Sequence, residues 1–409
     1  MKIGRPYIVT EGEESFLKAR IDDPQSGKDF ELWFSVPGEY GRYLCDEVAD
    51  PFLLVALQWA ISSGQPLEVD APVSSRLLYN VRHSLTPMIA RLIPDGTSVD
   101  VSAREAADLD FAAEGVGCGC SLGVDSFCSL LRHIGPEAPD GYRLTHLLLC
   151  NVGHFGERRF KDAEAAFHEN VKELMPFAAE TGLPLVPVNS NVDELSLNYR
   201  ATLPHSFIQR TFAAVLALQK LFGRYVYASS YSFDNVSFAK NDVFYAETVL
   251  VPLMSTDNTE FVLSDPEWSR VRKTEYISSS PLTWKYLDVC WAMALTNDQD
   301  GWTLLEGKKK KNCSKCPKCL RTMFTLELLG ALQHYEDLFD LDVYRKYRGR
   351  FIVKVVCQKD QDPFMAEIYS LMKEKGFRIP FRLKVLILAV RLGVYSFLQK
   401  VFGLNVMAR

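Results

Sequence analysis

A chain of 409 residues has length for about two to three domains of ordinary size, each able to bury a core. Its 47% hydrophobic, 12% aromatic and 24% charged content is that of a globular protein and excludes disordered, collagen-like and fibrous classes. Forty-six basic residues against 51 acidic leave a net charge of -5, so no overall positive field exists to hold a polyanion, and nucleic acid is not an expected partner.

Met1 to Tyr7 leads into no apolar run of signal-peptide length, so export is not expected. Residues 1–110 read as a small α+β domain. Phe30–Val36 has strand character and ends in a Pro37-Gly38 turn. Asp50 reads as a helix N-cap with Pro51 at the first helical position, and the apolar helix carrying Leu53, Leu54, Leu57 and Ile61 stops at Gly64. Short strands are expected around Leu67–Val69 and Val99–Val101.

Residues 111–280 alternate apolar runs with helical periodicity. Val116–Cys120, Leu147–Cys150, Leu185–Val188 and Tyr225–Ala228 are the strands. Between them, Phe127/Leu130/Leu131/Ile134, Ala163/Phe167/Val171/Leu174 and Phe207/Thr211/Val215/Leu218 mark helices. Such alternation predicts an α/β fold with a parallel, doubly wound, Rossmann-like sheet, whose ligands bind beyond the carboxyl ends of the strands.

The first of these strands runs into Ser121-Leu122-Gly123-Val124-Asp125-Ser126 and then directly into a helix. A turn in that position aims backbone N–H groups and a helix dipole at one point, which suits a pyrophosphate. Ser121 and Ser126 add hydroxyl donors, Gly123 permits close approach, and Asp125 is placed to hold the Mg²⁺ that accompanies ATP. The segment resembles the signature Ser-Gly-Gly-x-Asp-Ser of the PP-loop ATP pyrophosphatase superfamily, the adenine nucleotide alpha-hydrolase-like fold, with Leu122 in place of the first glycine. The resemblance implies cleavage of ATP between the α- and β-phosphates, with AMP transferred to a carboxylate or carbonyl oxygen. That chemistry calls for electrostatic stabilisation more than for a protein nucleophile.

Further positions fall where such a family makes contacts. The loop Asn151–Gly156 suits the adenosine moiety, and Ser229 and Asp234 lie in the polar loop after the fourth strand. Arg270, Arg272 and Lys273 form a basic cluster, and Lys273 with Glu275 and Ile277 resembles a Lys-x-Glu-Ile stretch whose lysine faces the phosphates. Asp125 and Lys273 are thus the candidate catalytic residues. His205 reads as a cap or core histidine.

Residues 281–330 carry Cys313, Cys316 and Cys319 in a Cys-x-x-Cys-x-x-Cys run, with Cys290 as the best fourth ligand. Four thiolates at such spacing suit a closed, structural Zn²⁺ site, and Lys308 to Lys311, Lys315 and Lys318 offset its charge. A ferredoxin-type iron–sulfur run would normally place a further cysteine where Met323 stands, so zinc is favoured. Cysteines clustered in this way also point to a reducing, cytoplasmic setting. Cys118, Cys120, Cys128 and Cys150 read as small buried apolar residues, while Cys45 and Cys357 have no evident partner.

The pairing of a PP-loop with a downstream four-cysteine site, followed by Leu320-Arg321, resembles the 7-cyano-7-deazaguanine synthase family over about residues 114–325. It implies an AMP-forming carbon–nitrogen ligase acting on a small carboxylate acceptor, deazaguanine-like in that family, with ammonia or an amine as second substrate and an amide or nitrile as product. A homodimer is one possible assembly, and the sequence does not fix the oligomeric state. Two other classes use similar parts: a sulfur-transferring tRNA-modifying enzyme with an iron–sulfur or zinc site, and a non-catalytic nucleotide-binding module.

Residues 331–409 read as a mostly helical C-terminal region, and Phe324, Leu328 and Ala331 are expected to share one helix face. The apolar run Phe381–Gly403 is interrupted by Arg382, Lys384, Arg391 and Lys400, short of the ~20 apolar residues a membrane span requires. A core helix is the first expectation for it, docking on a membrane surface or a partner the second.

Overall fold

The computed structural model describes residues 1–106, 109–153, 163–199, 202–239, 242–290 and 310–392. Two compact units divide them, one containing residues 1–121 and 129–266, the other residues 122–128, 267–290 and 310–392.

The first unit is built on eleven strands: β1 (Lys2–Ile3), β2 (Tyr7–Glu11), β3 (Glu14–Asp23), β4 (Lys28–Pro37), β5 (Leu67–Val73), β6 (Val101–Glu105), β7 (Gly115–Gly119), β8 (His146–Cys150), β9 (Leu185–Ser190), β10 (Phe222–Ala228) and β11 (Glu260–Ser264). They form one mostly parallel sheet in the order β11-β10-β7-β8-β9-β4-β3-β1-β5-β6, with β2 paired to β3. The α/β class expected from the alternation is therefore present.

The sheet does not stop at the boundary drawn near residue 110. Phe34 and Ser35 of β4 pair antiparallel with Ser190 and Asn189 of β9, so the N-terminal strands continue the parallel ones. Residue alternation explains the N-terminal part. In β3, Leu17, Ala19 and Ile21 are buried between partly exposed or exposed Lys18, Arg20 and Asp22, and β5 alternates Leu67, Val69, Ala71 and Val73 with Glu68 and Asp70.

The β7–β11 segment is legible for another reason. β7 is glycine-rich because its neighbour is aromatic: a Cβ on Gly117 would come within 2.8 Å of the Phe222 ring and 3.2 Å of Tyr225. Glycine lets β7 and β10 run side by side.

Asp50 behaves differently from expectation. Ala49 occupies the N-cap position of the helix Asp50–Ser63 with no side-chain cap, and the Asp50 carboxylate instead accepts from the Ser74 N–H at 2.8 Å and from Gln219 Nε2 at 3.0 Å. This anchors the helix start to other segments at the expense of a local cap. Gly64 ends the helix in the left-handed conformation, as anticipated.

The second unit is helical among its described residues, with helices at Arg270–Ser278, Pro281–Tyr286, Pro317–Leu328, Leu341–Gln358, Pro363–Glu374 and Phe381–Arg391. Met323, Phe324, Tyr335, Phe351 and Ile352 are buried in it. The Pro317–Leu328 helix ends before Gly330, whose φ of 74° turns the chain, so Ala331 does not continue the face begun by Phe324 and Leu328. No helix of the described residues is long and apolar enough to cross a membrane.

Candidate functional site

In the first unit, the strand order places β7 between β8 and β10, with β9-β8 on one side and β10-β11 on the other. Numbering these five by their sequence gives 3-2-1-4-5, with the reversal between β7 and β10. Because β7 and β10 are parallel, the segments that leave them, Ser121 and Ser229 onward, emerge at the same sheet edge.

Ser121 is exposed, whereas Ser229 is buried with its N–H on the Ser264 carbonyl at 3.0 Å. The loop after Ser229 is held by Glu247, which accepts from the Ser230 N–H at 2.6 Å and the Tyr231 N–H at 3.1 Å. Asp234 sits exposed on the short turn Phe233–Asn235. Asn151 is buried and spends its side chain on Asn189 at 2.7 Å, tying the ends of β8 and β9. Its loop neighbours from His154 to Gly156 lie outside the described residues.

The rest of the predicted loop belongs to the second unit. Leu122, at the position of the signature's first glycine, has a φ of 53° and is 1% exposed. A leucine thus occupies the left-handed conformation for which glycine is suited. Its carbonyl accepts from the Asp288 N–H at 2.9 Å. The helix Val124–Ile134 follows at once, with the Phe127 N–H on the Gly123 carbonyl at 2.8 Å and Asp125 in the first turn. Ser126 is buried.

Asp125 meets two cations from one helix. Arg270 approaches it at 2.5 Å and Lys273 at 3.8 Å. The spacing is the cause: positions three apart on a helix share a face, while Arg272 turns outward to Glu275. Ser269 caps that helix by accepting from the Arg272 N–H at 3.1 Å. The Lys273 side chain is only 2% exposed, a location charged lysine occupies when paired.

Behind Arg270 stands the Pro363–Glu374 helix. Phe364 carries the Arg270 guanidinium 5.1 Å from its ring centroid and that of Arg321 at 4.0 Å. Glu367 accepts from the Val271 N–H at 3.2 Å, and burial raises its carboxyl above the ordinary value despite that bond and the nearby Arg270. Sequence reading singled out Lys273 ahead of Arg270 and missed Phe364 and Glu367. The three-residue spacing could have paired Arg270 with Lys273. Nothing local marks Phe364 or Glu367, about ninety residues downstream.

The four expected cysteines do converge. The sulfurs of Cys290, Cys313, Cys316 and Cys319 all lie within 4.8 Å of one another, and those of Cys313 and Cys319 are 3.8 Å apart. Thiolates about 2.3 Å from a tetrahedral ion are separated by about 3.8 Å, so the spacing fits a single ion such as zinc. A multi-iron core would need its thiolates spread further.

Backbone N–H groups of Cys313, Cys316 and Cys319 each point at the sulfur of Cys290, Cys313 and Cys316 respectively, at 3.4 Å, which favours thiolates. Hydrogen bonding from Cys290 draws Cys313 downward and Cys316 to about 6, whereas Cys290 and Cys319 are raised by their bonds to the other sulfurs.

Two residues hold the frame. Buried Asn312 accepts from the Val289 N–H at 2.9 Å and donates to the Leu287 carbonyl at 3.0 Å, so the segment before Cys290 is clamped to that before Cys313. Cys316 also caps the Pro317–Leu328 helix through its sulfur, with Pro317 in the first turn. Lys311 lies 4.0 Å from Asp288. Lys308 and Lys309 lie outside the described residues.

Cys118, Cys120 and Cys128 are buried and Cys150 half-buried, as expected of small apolar residues. His205 hydrogen-bonds Thr202 at the start of its helix through Nδ1 at 2.9 Å. No protein-family model, curated protein or solved structure matches the chain.

Proposed function

We propose that this chain binds ATP with Mg²⁺ at the Ser121–Ser126 turn and transfers AMP to a carboxylate or carbonyl oxygen of a small acceptor, releasing pyrophosphate. Ammonia or an amine then displaces AMP to give an amide; where ammonia is the donor, adenylation of the amide oxygen by a second ATP and loss of AMP and a proton give a nitrile. This is the reaction type of the 7-cyano-7-deazaguanine synthases that the sequence resembles. We further read the sheet as the doubly wound adenine nucleotide alpha-hydrolase-like fold. The 3-2-1-4-5 order supports that reading, since ligands of such sheets sit where the order reverses.

One observation carries the proposal: Asp125, in the first turn of the helix that follows β7, is met by both Arg270 and Lys273. A carboxylate and two cations at a helix start provide a metal ligand and phosphate counter-charges within one small volume. In the proposed complex, Ser121, Leu122, Gly123, Val124 and Ser126 hold the β,γ-phosphates through backbone N–H groups and hydroxyls. Asp125 would hold Mg²⁺, which neutralises phosphate charge. Lys273 and Arg270 would stabilise charge that builds on the leaving pyrophosphate. The resemblance alone assigns Ser229, Asp234 and Asn151 to contacts with the adenosine or the acceptor.

The Cys290, Cys313, Cys316 and Cys319 site is assigned a structural Zn²⁺, because four thiolates leave no open position for catalysis. A sulfur-transferring enzyme would need a reactive thiolate outside the metal site, and burial raises the thiols of Cys118 and Cys150, the latter to about 12.

The test is the fate of ATP in the presence of a panel of carboxylate acceptors, a deazaguanine carboxylate among them. AMP and pyrophosphate formed in an acceptor-dependent manner are expected. ADP and phosphate as sole products, or ATP binding with no acceptor-dependent pyrophosphate release, would overturn the assignment.

A further inference from the structure

The helix Phe381–Arg391 is not a core helix. Ile387 is its only buried residue, and Leu383 reaches inward toward Gly349 of the Leu341–Gln358 helix, 3.5 Å from where a Cβ there would stand. On the other side Phe381, Val385, Leu388 and Leu392 are 79%, 53%, 58% and 67% exposed. At 3.6 residues per turn these four fall within an arc of about 60°, a single stripe about 16 Å long. Arg382 flanks the stripe on one side and Lys384 and Arg391 on the other, all exposed.

From Gly376 to Leu392 the sequence is one-sided in charge, with Arg378, Arg382, Lys384 and Arg391 and no acidic residue, in a chain whose net charge is -5. We propose that the outer face of the Phe381–Arg391 helix docks in the plane of an anionic lipid surface, with the four apolar side chains entering the acyl boundary and the flanking cations meeting the headgroups.

Charge complementarity favours lipid over a second copy of the chain: cations on both borders of a narrow apolar stripe match the layered chemistry of an anionic interface.

The experiment is co-sedimentation of the full chain with vesicles, either of phosphatidylcholine alone or with about a third phosphatidylserine, at about 0.15 M salt. Binding about tenfold or more stronger to the anionic vesicles is expected, falling as salt rises. The variant Phe381→Ser with Leu388→Ser should lose binding to both vesicle types, and Arg382→Glu with Lys384→Glu should lose the preference for phosphatidylserine. All four positions are exposed, so thermal stability and nucleotide handling should be unchanged in both variants.

Equal binding to both vesicle types, or none, would overturn the proposal. So would a marked loss of thermal stability in the serine variant, which would show the stripe to be covered within the chain, or its conversion of an oligomer to a monomer. Because the readout is lipid binding, it stands or falls independently of the proposed ATP chemistry.

Discussion

Leu122 allows a comparison in which the usual order of two substitutions is reversed. Its φ of 53° is a conformation that costs a residue bearing a Cβ about 1–2 kcal/mol, and glycine nothing comparable. At an ordinary position alanine is more stabilising than glycine by about 0.4–1 kcal/mol, because it restricts the unfolded chain. The difference predicts that Leu122→Gly is more stable than Leu122→Ala by about 0.5–1 kcal/mol, a few-fold in an opening equilibrium. Both fall below the wild type, since the side chain is buried and truncating a buried leucine costs about 2–5 kcal/mol. Amide hydrogen exchange across Val124–Ile134 measures this locally, without assuming that two units unfold as one. Slower exchange in the glycine variant is expected. Equal or faster exchange than in the alanine variant would refute the left-handed turn and, with it, the match of Leu122 to the signature's first glycine.

The remaining predictions concern the two sites and one pH effect. Asp125→Asn and Lys273→Met should each lower the rate of acceptor-dependent pyrophosphate release by about a hundredfold or more while leaving the circular dichroism unchanged; an active Asp125→Asn enzyme would remove the metal-ligand role. Protein purified without added metal should contain one zinc per chain by elemental analysis, and Cys319→Ser should lose it; iron in its place would revive the cluster alternative. Asn312→Ala deletes three side-chain hydrogen bonds, of 2.9, 3.0 and 3.4 Å, in a buried setting and should destabilise by about 1–3 kcal/mol and weaken zinc retention against a chelator. Glu367 has its carboxyl raised by burial, so the folded chain retains that proton at pH values where the unfolded chain releases it. Its contribution is therefore present below the unfolded value of about 4.3 and is lost as pH rises through the folded value. Glu367→Gln should gain on the wild type in melting temperature across that interval, and parallel curves would contradict the assignment.

How much was legible depended on whether the cause was local. Period-two alternation marked β4 and part of β5, and short apolar runs marked β7 to β10, because those patterns record which side of a strand is buried. Cys313, Cys316 and Cys319 were legible because a tight turn alone brings their sulfurs together, and Cys290 followed from the need for a fourth ligand. The joining of β4 to β9 was not legible: two residue pairs, 156 and 154 positions apart, leave no periodic trace in either strand. Nor was the surround of Arg270, since Phe364 and Glu367 reach it from a helix whose own sequence is an ordinary amphipathic pattern.

Asp125 shows how the two kinds of information combine. Its place in the first turn of a helix, two residues after a glycine, is where the resemblance expects a residue near a bound anion, but a carboxylate alone would repel phosphate. The folded chain supplies the counter-charges from a helix whose first residue lies 145 positions further on, and their spacing of three puts both on the carboxylate side. In the proposed nucleotide site such an arrangement has a consequence for binding order. With no ligand present the cations are engaged by Asp125, so a triphosphate arriving with its metal can exchange partners in one step: the cations pass to phosphate oxygens as the carboxylate passes to the metal. A triphosphate without a metal must draw the same cations away and leave a half-buried carboxylate beside its own negative charge. Nucleotide affinity should therefore depend more steeply on Mg²⁺ in the wild type than in Asp125→Asn, and titration calorimetry with and without the metal measures it. An equal Mg²⁺ dependence in the two proteins would mean that Asp125 serves the fold of its own helix and not the bound anion.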